Sequence, residues 1–143
     1  MKRKIVLSLA FLLLAFGSCF VVYQFKISQT GAGQNTGVYN GYLTCQSCAQ
    51  VKNGMAMDGV NISDHPENHT VHCLKMPACV ASGYGVFMRS ANNRYTFYPF
   101  DRKGSEQSYQ QIVSKSLKKD HLLVTVTGKI QNGILVVNTI REK

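Results

Sequence analysis

Eleven residues, 69–79, hold five side chains that bind soft metal ions: His69, His72, Cys73, Met76 and Cys79, in "HTVHCLKMPAC". Upstream, "CQSC" places Cys45 and Cys48 two residues apart, a spacing common in thiolate metal sites. A structural zinc ion takes four such donors, either all thiolates or three thiolates and an imidazole. Cys45, Cys48 and Cys73, with Cys79, His69 or His72, supply either set. Thioethers from Met55, Met57 or Met76 would shift the preference toward copper(I), because sulfur donors of both kinds are soft.

The same cysteines carry a second reading. Cys45, Cys48, Cys73 and Cys79 are an even number, and in an oxidising compartment an even set pairs into disulfides. Four cysteines allow three pairings. Each bridge would staple a long loop and contribute about 2–4 kcal/mol. A third reading takes Cys45–Cys48 as a redox pair. No βαβ pattern surrounds it, which argues against a thioredoxin-like fold. No histidine follows Cys48, so the pair is not a haem-attachment motif. Nucleophile elbows, phosphate loops and metalloprotease helix motifs are missing, which favours a binding domain over an enzyme.

The chain that must position these residues begins with MKRK and an apolar run from Ile5 to Val22. Cations before an apolar run direct the rest of the chain outward. The run exceeds the ~7–15 residues of a cleavable signal core and approaches the ~20 that span a bilayer. Residues 1–26 therefore read as a signal anchor, with cleavage after Thr30-Gly31-Ala32 as the alternative and a weak lipoprotein-like box, "AFGSC", as a third. All three place the remainder in the cell envelope, on the outer face of the membrane. Residues 27–37, rich in Gly, Gln and Thr, read as a tether. Residues 38–143 suffice for one domain with a modest core.

The formal charge of +9 is partly a membrane-flank effect. Four of the sixteen basic residues (Lys2, Arg3, Lys4 and Lys26) border the apolar run, leaving twelve against seven acidic ones in residues 27–143. Lys115, Lys118 and Lys119 read as the solvated face of a helix. Nucleic acid is not an expected partner. The expected ones are the membrane, through the N-terminal helix, and a small ligand or protein.

Within the domain, "VYNGYLTC" (38–45) suits a first strand. Asn-Gly and Asp-Gly pairs punctuate a long polar stretch after it. Asp64, Pro66 and Glu67 resemble a capping box and predict a helix from about His65 to Leu74. Such a helix would align positions 65, 69, 72, 73 and 76 in one stripe. Pro77 would open another turn, which Gly83 would close. Strands follow at 84–90 and 94–100, then an amphipathic helix at 105–119. Two strong strands close the chain, joined by a turn containing Asn132-Gly133. On that hairpin Val124, Val126, Ile134 and Val136 are expected to point inward.

Five strands, with one helix between strands 3 and 4 and a Cys/His-rich helical insert between strands 1 and 2, follow the order of a small OB-like barrel. The connection between strands 1 and 2 is a usual ligand-binding loop of that fold.

Cys48, His69-Thr70, Cys73, Cys79 and the closing "VTVTGKIQNGILVVNTI" together resemble a group of small exported bacterial OB-like domains of largely unknown function, which carry a Cys…HTxxC…Cys loop. The resemblance spans residues 39–141 and implies an OB-like fold, with no established activity. The chain departs from the pattern at Cys45, where a polar or acidic residue is expected, and in the longer gap from Cys73 to Cys79.

Overall fold

The computed structural model describes residues 36–143. The apolar run, Cys19 and all but the last two residues of the tether lie outside the described residues. Among the described residues, no helix is long and apolar enough to cross a membrane.

Five strands form one antiparallel sheet: β1 (Gly37–Cys45), β2 (Tyr84–Arg89), β3 (Tyr95–Pro99), β4 (Leu123–Gln131) and β5 (Ile134–Glu142), in spatial order β3-β2-β1-β4-β5. β1 is the centre, and its two halves serve different partners. Gly37 to Tyr42 pair with β4, and Tyr42 to Cys45 pair with β2. This stagger brings Cys45 to the end of the strand, opposite Tyr84.

The sheet is open, not a closed barrel. Beyond its ends, β3 meets β5 through one parallel bridge, Phe100 to Leu135, and one backbone hydrogen bond, from Asp101 N–H to Leu135 O at 3.3 Å. β3 is short and stops at Pro99, which has no N–H to extend a ladder. Asp101 then turns the chain. Its Oδ1 accepts from Gly104 N–H (3.2 Å) and from Val137 N–H (3.0 Å), capping a helix while holding the edge of β5.

That helix starts earlier and ends earlier than the sequence pattern predicts. It spans Arg102–Gln107 and continues as a π-helical turn, Ser108–Val113. Lys115, Lys118 and Lys119 therefore lie in the connection to β4 and not on a helix face. Leu117, in the same connection, is fully exposed.

The closing hairpin forms with its two-residue turn; Asn132 and Gly133 both have positive φ. Its inward set differs from expectation. Val124 and Val126 are buried, but on β5 the buried residues are Leu135, Val137 and Ile140, while Ile134 is exposed. The turn pairs Gln131 with Ile134, so Leu135 lies opposite Ile130 and shares its face. A bulge between Thr127 and Gly128 then pairs Val126 with Ile140.

The insert, residues 46–83, contains α1 (Gln46–Ala49), a 3-10 turn (Pro66–Asn68), α2 (Val71–Leu74) and α3 (Pro77–Ser82). The single helix expected from His65 to Leu74 is broken in two. Thr70, not Asp64, makes the helix cap: its Oγ1 accepts from Cys73 N–H at 3.2 Å. Pro77 opens α3, and Gly83, at φ 80°, closes it as expected. Ile62, Val71, Leu74 and the four cysteines join the same core as Leu43, Tyr84 and Val86 from the sheet.

Candidate metal centre

Three short helical turns bring the sulfurs together. Cys45 is the N-cap of α1 and Cys48 lies in its first turn. α2 carries Cys73, and α3 carries Cys79. Ser82 ties α3 to α1: its Oγ accepts from Ser47 N–H at 3.1 Å and donates to Cys79 O at 2.9 Å. Tyr84 Oη donates to Leu74 O at 2.8 Å and fixes the end of α2. All four cysteines are buried and free.

Cys48 Sγ lies 3.9 Å from both Cys73 Sγ and Cys79 Sγ, and those two are 4.0 Å apart. The three sulfurs make a nearly equilateral triangle. Zinc–sulfur bonds of ~2.3 Å in a tetrahedron set the sulfur–sulfur edge at ~3.8 Å. The triangle therefore matches one face of a tetrahedral site. Two further donors border it. Cys45 groups with Cys48 and Cys79, and His69 groups with Cys48 and Cys73, the ligand atoms of each group lying within 4.8 Å of one another. Cys45 Sγ is only 2.7 Å from Cys79 Sγ.

His69 is a buried polar side chain; its ring has no exposed surface. Nδ1 lies 2.8 Å from Asp58 Oδ2, the distance of a hydrogen bond, but neither ring nitrogen has a partner of full hydrogen-bond geometry. At this distance the Asp58 carboxylate stands beside Nδ1, and Nε2 is the nitrogen turned away from it. Asp58 Oδ2 is itself held by Thr70 N–H (2.8 Å) and Thr70 Oγ1–H (2.9 Å). Burial works against the Asp58 charge, but the Thr70 donors and the neighbouring imidazole hold its carboxyl below the ordinary value. Burial is also the larger influence on His69 and pulls it below its ordinary value against the opposing charge of Asp58. A neutral imidazole beside an ionised carboxylate is the state a metal-binding histidine needs.

Three of the thiols are shifted upward. Burial, then the proximity of Cys48, pushes Cys73 up to about 12. Burial likewise pushes Cys79 up to about 12, and it raises Cys45. A redox or nucleophilic cysteine needs a lowered pKa and access to solvent. Cys45, Cys73 and Cys79 have neither, so they would be inert unless a cation supplied the missing positive charge. A bound metal does so and deprotonates its thiol ligands outright.

Of the residues singled out in the sequence, Cys45, Cys48, His69, Cys73 and Cys79 converge. His72 is exposed and belongs to neither group. Met55 and Met57 are also exposed, and Met76 packs against the core. Asp58 was not legible as part of the site, because Asp-Gly reads as turn chemistry. Its one signal is that it is the only acidic residue between Cys45 and Asp64. A separate cleft of ≈ 450 Å³, bordered by Gln46, Val80, Tyr84 and Tyr109, contains none of the cysteines. No protein-family model, curated protein or solved structure matches the chain.

Proposed function

We propose that the insert binds one zinc ion with four ligands drawn from Cys45, Cys48, His69, Cys73 and Cys79, and that this ion holds the insert together as part of a binding domain. The Cys48–Cys73–Cys79 triangle, with its 3.9–4.0 Å edges, carries the reading. A closed, buried set of protein donors belongs to a structural site, since a catalytic zinc keeps one position for water or substrate. Copper(I) is favoured less, because Met55 and Met57 stand in solvent. The strand order, and the bridge from Phe100 to Leu135 across the gap, support an OB-like, partly open barrel beneath the insert. We place this domain outside the cytoplasm, held to the membrane by residues 1–26, as in the exported bacterial domains that the Cys…HTxxC…Cys loop resembles.

Metal and free thiols measured on the same sample, purified without reductant or chelator, test the metal reading. One zinc per chain and no disulfide in the domain support it. Two disulfides and no metal would leave the alternative, a disulfide-stapled interaction module. In that reading Cys45 would pair with Cys79, its nearest sulfur at 2.7 Å, and Cys48 with Cys73 at 3.9 Å, although neither separation is that of a bond. Protease treatment of spheroplasts tests the location: a fully protected, full-length chain contradicts it.

A further inference from the structure

We infer that Asp58 is the positioning residue of this centre, holding His69 by Nδ1 so that Nε2 completes the Cys48–Cys73–Cys79 face, with Cys45 left outside the ligand set. The inference rests on the metal reading above.

Three observations carry it. The first is the His69 ring, fully buried within the donor cluster and lacking hydrogen bonds of full geometry at both nitrogens. Unpartnered groups of this kind are rare in native interiors, and an ion is one of their explanations. Asp58 lies beside Nδ1, which leaves Nε2 as the nitrogen free to bind. Metal-bound histidines commonly donate their second N–H to a carboxylate, which fixes tautomer and ring orientation.

The second is how Asp58 is anchored. Its Oδ2 takes two donors from Thr70, so the carboxylate stays in place independently of the ring. Thr70 Oγ1 also accepts from Cys73 N–H and so starts α2. One carboxylate thus orients two donors: His69 directly, and Cys73 through the Thr70 turn. This gives the irregular loop before residue 66 a purpose, since it delivers Asp58 to the turn.

The third is Cys45. A sulfur 2.7 Å from Cys79 Sγ cannot share a tetrahedral ion with it, because that edge is ~3.8 Å. Cys45 is therefore placed in the layer outside the ligands. Ser47 Oγ, 3.4 Å from Cys45 Sγ and 3.9 Å from Cys79 Sγ, belongs to the same outer layer.

The test uses the full chain. In protein loaded with cadmium-113 and labelled with nitrogen-15, spin coupling from the metal should reach Nε2 of His69. Coupling to Nδ1, or none to His69, overturns the inference. For zinc, competition with a chromophoric chelator should show Asp58→Asn binding about 10–100-fold more weakly than wild type, with Asp58→Glu restoring part of the loss. Thr70→Val removes both the hydroxyl contact to Asp58 and the cap of α2, but its N–H still holds the carboxylate beside the ring, so it should lose less than Asp58→Asn. Equal affinity in Asp58→Asn and wild type overturns the inference, as does an equal loss in Asp58→Asn and Thr70→Val, which would reduce Asp58 to a support for the turn. Wild-type protein that binds neither metal removes the metal reading itself; a metal-loaded wild type that fails the coupling or Asp58 tests removes the positioning role alone.

Discussion

Cys45 Sγ stands 2.7 Å from Cys79 Sγ, a separation that fits neither a disulfide at ~2.05 Å nor two ligands of one tetrahedral ion at ~3.8 Å. It is also shorter than any hydrogen bond between two sulfurs, so Cys45 crowds Cys79 without sharing an ion with it. The four cysteines are therefore unequal, although the sequence presents them alike.

That inequality predicts a graded response to substitution. Cys45→Ser removes none of the inferred ligands and should retain one metal per chain. Cys48→Ser, Cys73→Ser and Cys79→Ser should each bring metal content close to zero at micromolar protein after desalting. Metal analysis of the four purified variants decides this. Loss of metal in Cys45→Ser would make Cys45 a ligand.

The raised thiols predict how alkali acts on the metal-free protein. Cys73 and Cys79 have a usual value of 9.0 and are pushed up to about 12 in the fold, chiefly by burial. Unfolding releases them to ionise at the lower value. Their contribution to stability is thus fully present below pH 9 and is lost as pH rises toward 12. The chelated protein should melt at steadily lower temperature above pH 9. The zinc-loaded protein, whose ligands are already thiolates, should change less over the same range. Parallel melting curves of the two forms at pH 7, 9 and 10 check this.

Much of this architecture is written in local signals. Alternating apolar residues and Asn132-Gly133 specify the closing hairpin, and Pro77 and Gly83 bound α3. The errors came where a choice one residue wide depends on distant partners. Whether Asp64 or Thr70 starts a helix is settled by Asp58, twelve residues before Thr70, which fixes the Thr70 turn. Local capping rules do not reach that far. The donor set was legible from residue type, and five of its six expected members converge. Which donors bind is a matter of distances between helical turns, and spacing along the chain does not encode them.

The hairpin register gives a test by two neighbouring residues. Leu135 is fully buried, whereas Ile134 is 42% exposed. Leu135→Ala should cost about 2–5 kcal/mol, the range for a truncated core leucine. Ile134→Ala should stay within about 0.5 kcal/mol of wild type, as surface changes do. Urea unfolding of both variants, in the same metal state, measures the difference. A larger loss in Ile134→Ala would place the opposite face of β5 in the core.

Gly104 tests how closely the helix sits on β5. A Cβ there would lie 2.4 Å from Val137 Cγ2 and 2.7 Å from Val137 Cβ. In an open helix, replacing glycine by alanine gains about 1 kcal/mol of helix propensity. Here the gain meets a strand that cannot withdraw freely: Val137 N–H is tied to Asp101 Oδ1, the oxygen that also caps the helix. Moving the helix away would strain that shared contact and loosen the Phe100–Leu135 bridge beside it. Overpacking of this kind costs about 1–3 kcal/mol, so the clash should outweigh propensity. Gly104→Ala should therefore lower the melting temperature by several degrees. Zinc content should stay at the wild-type level, because no donor lies on this helix or on β5. A stabilised Gly104→Ala variant would show that helix and strand stand farther apart than this packing requires.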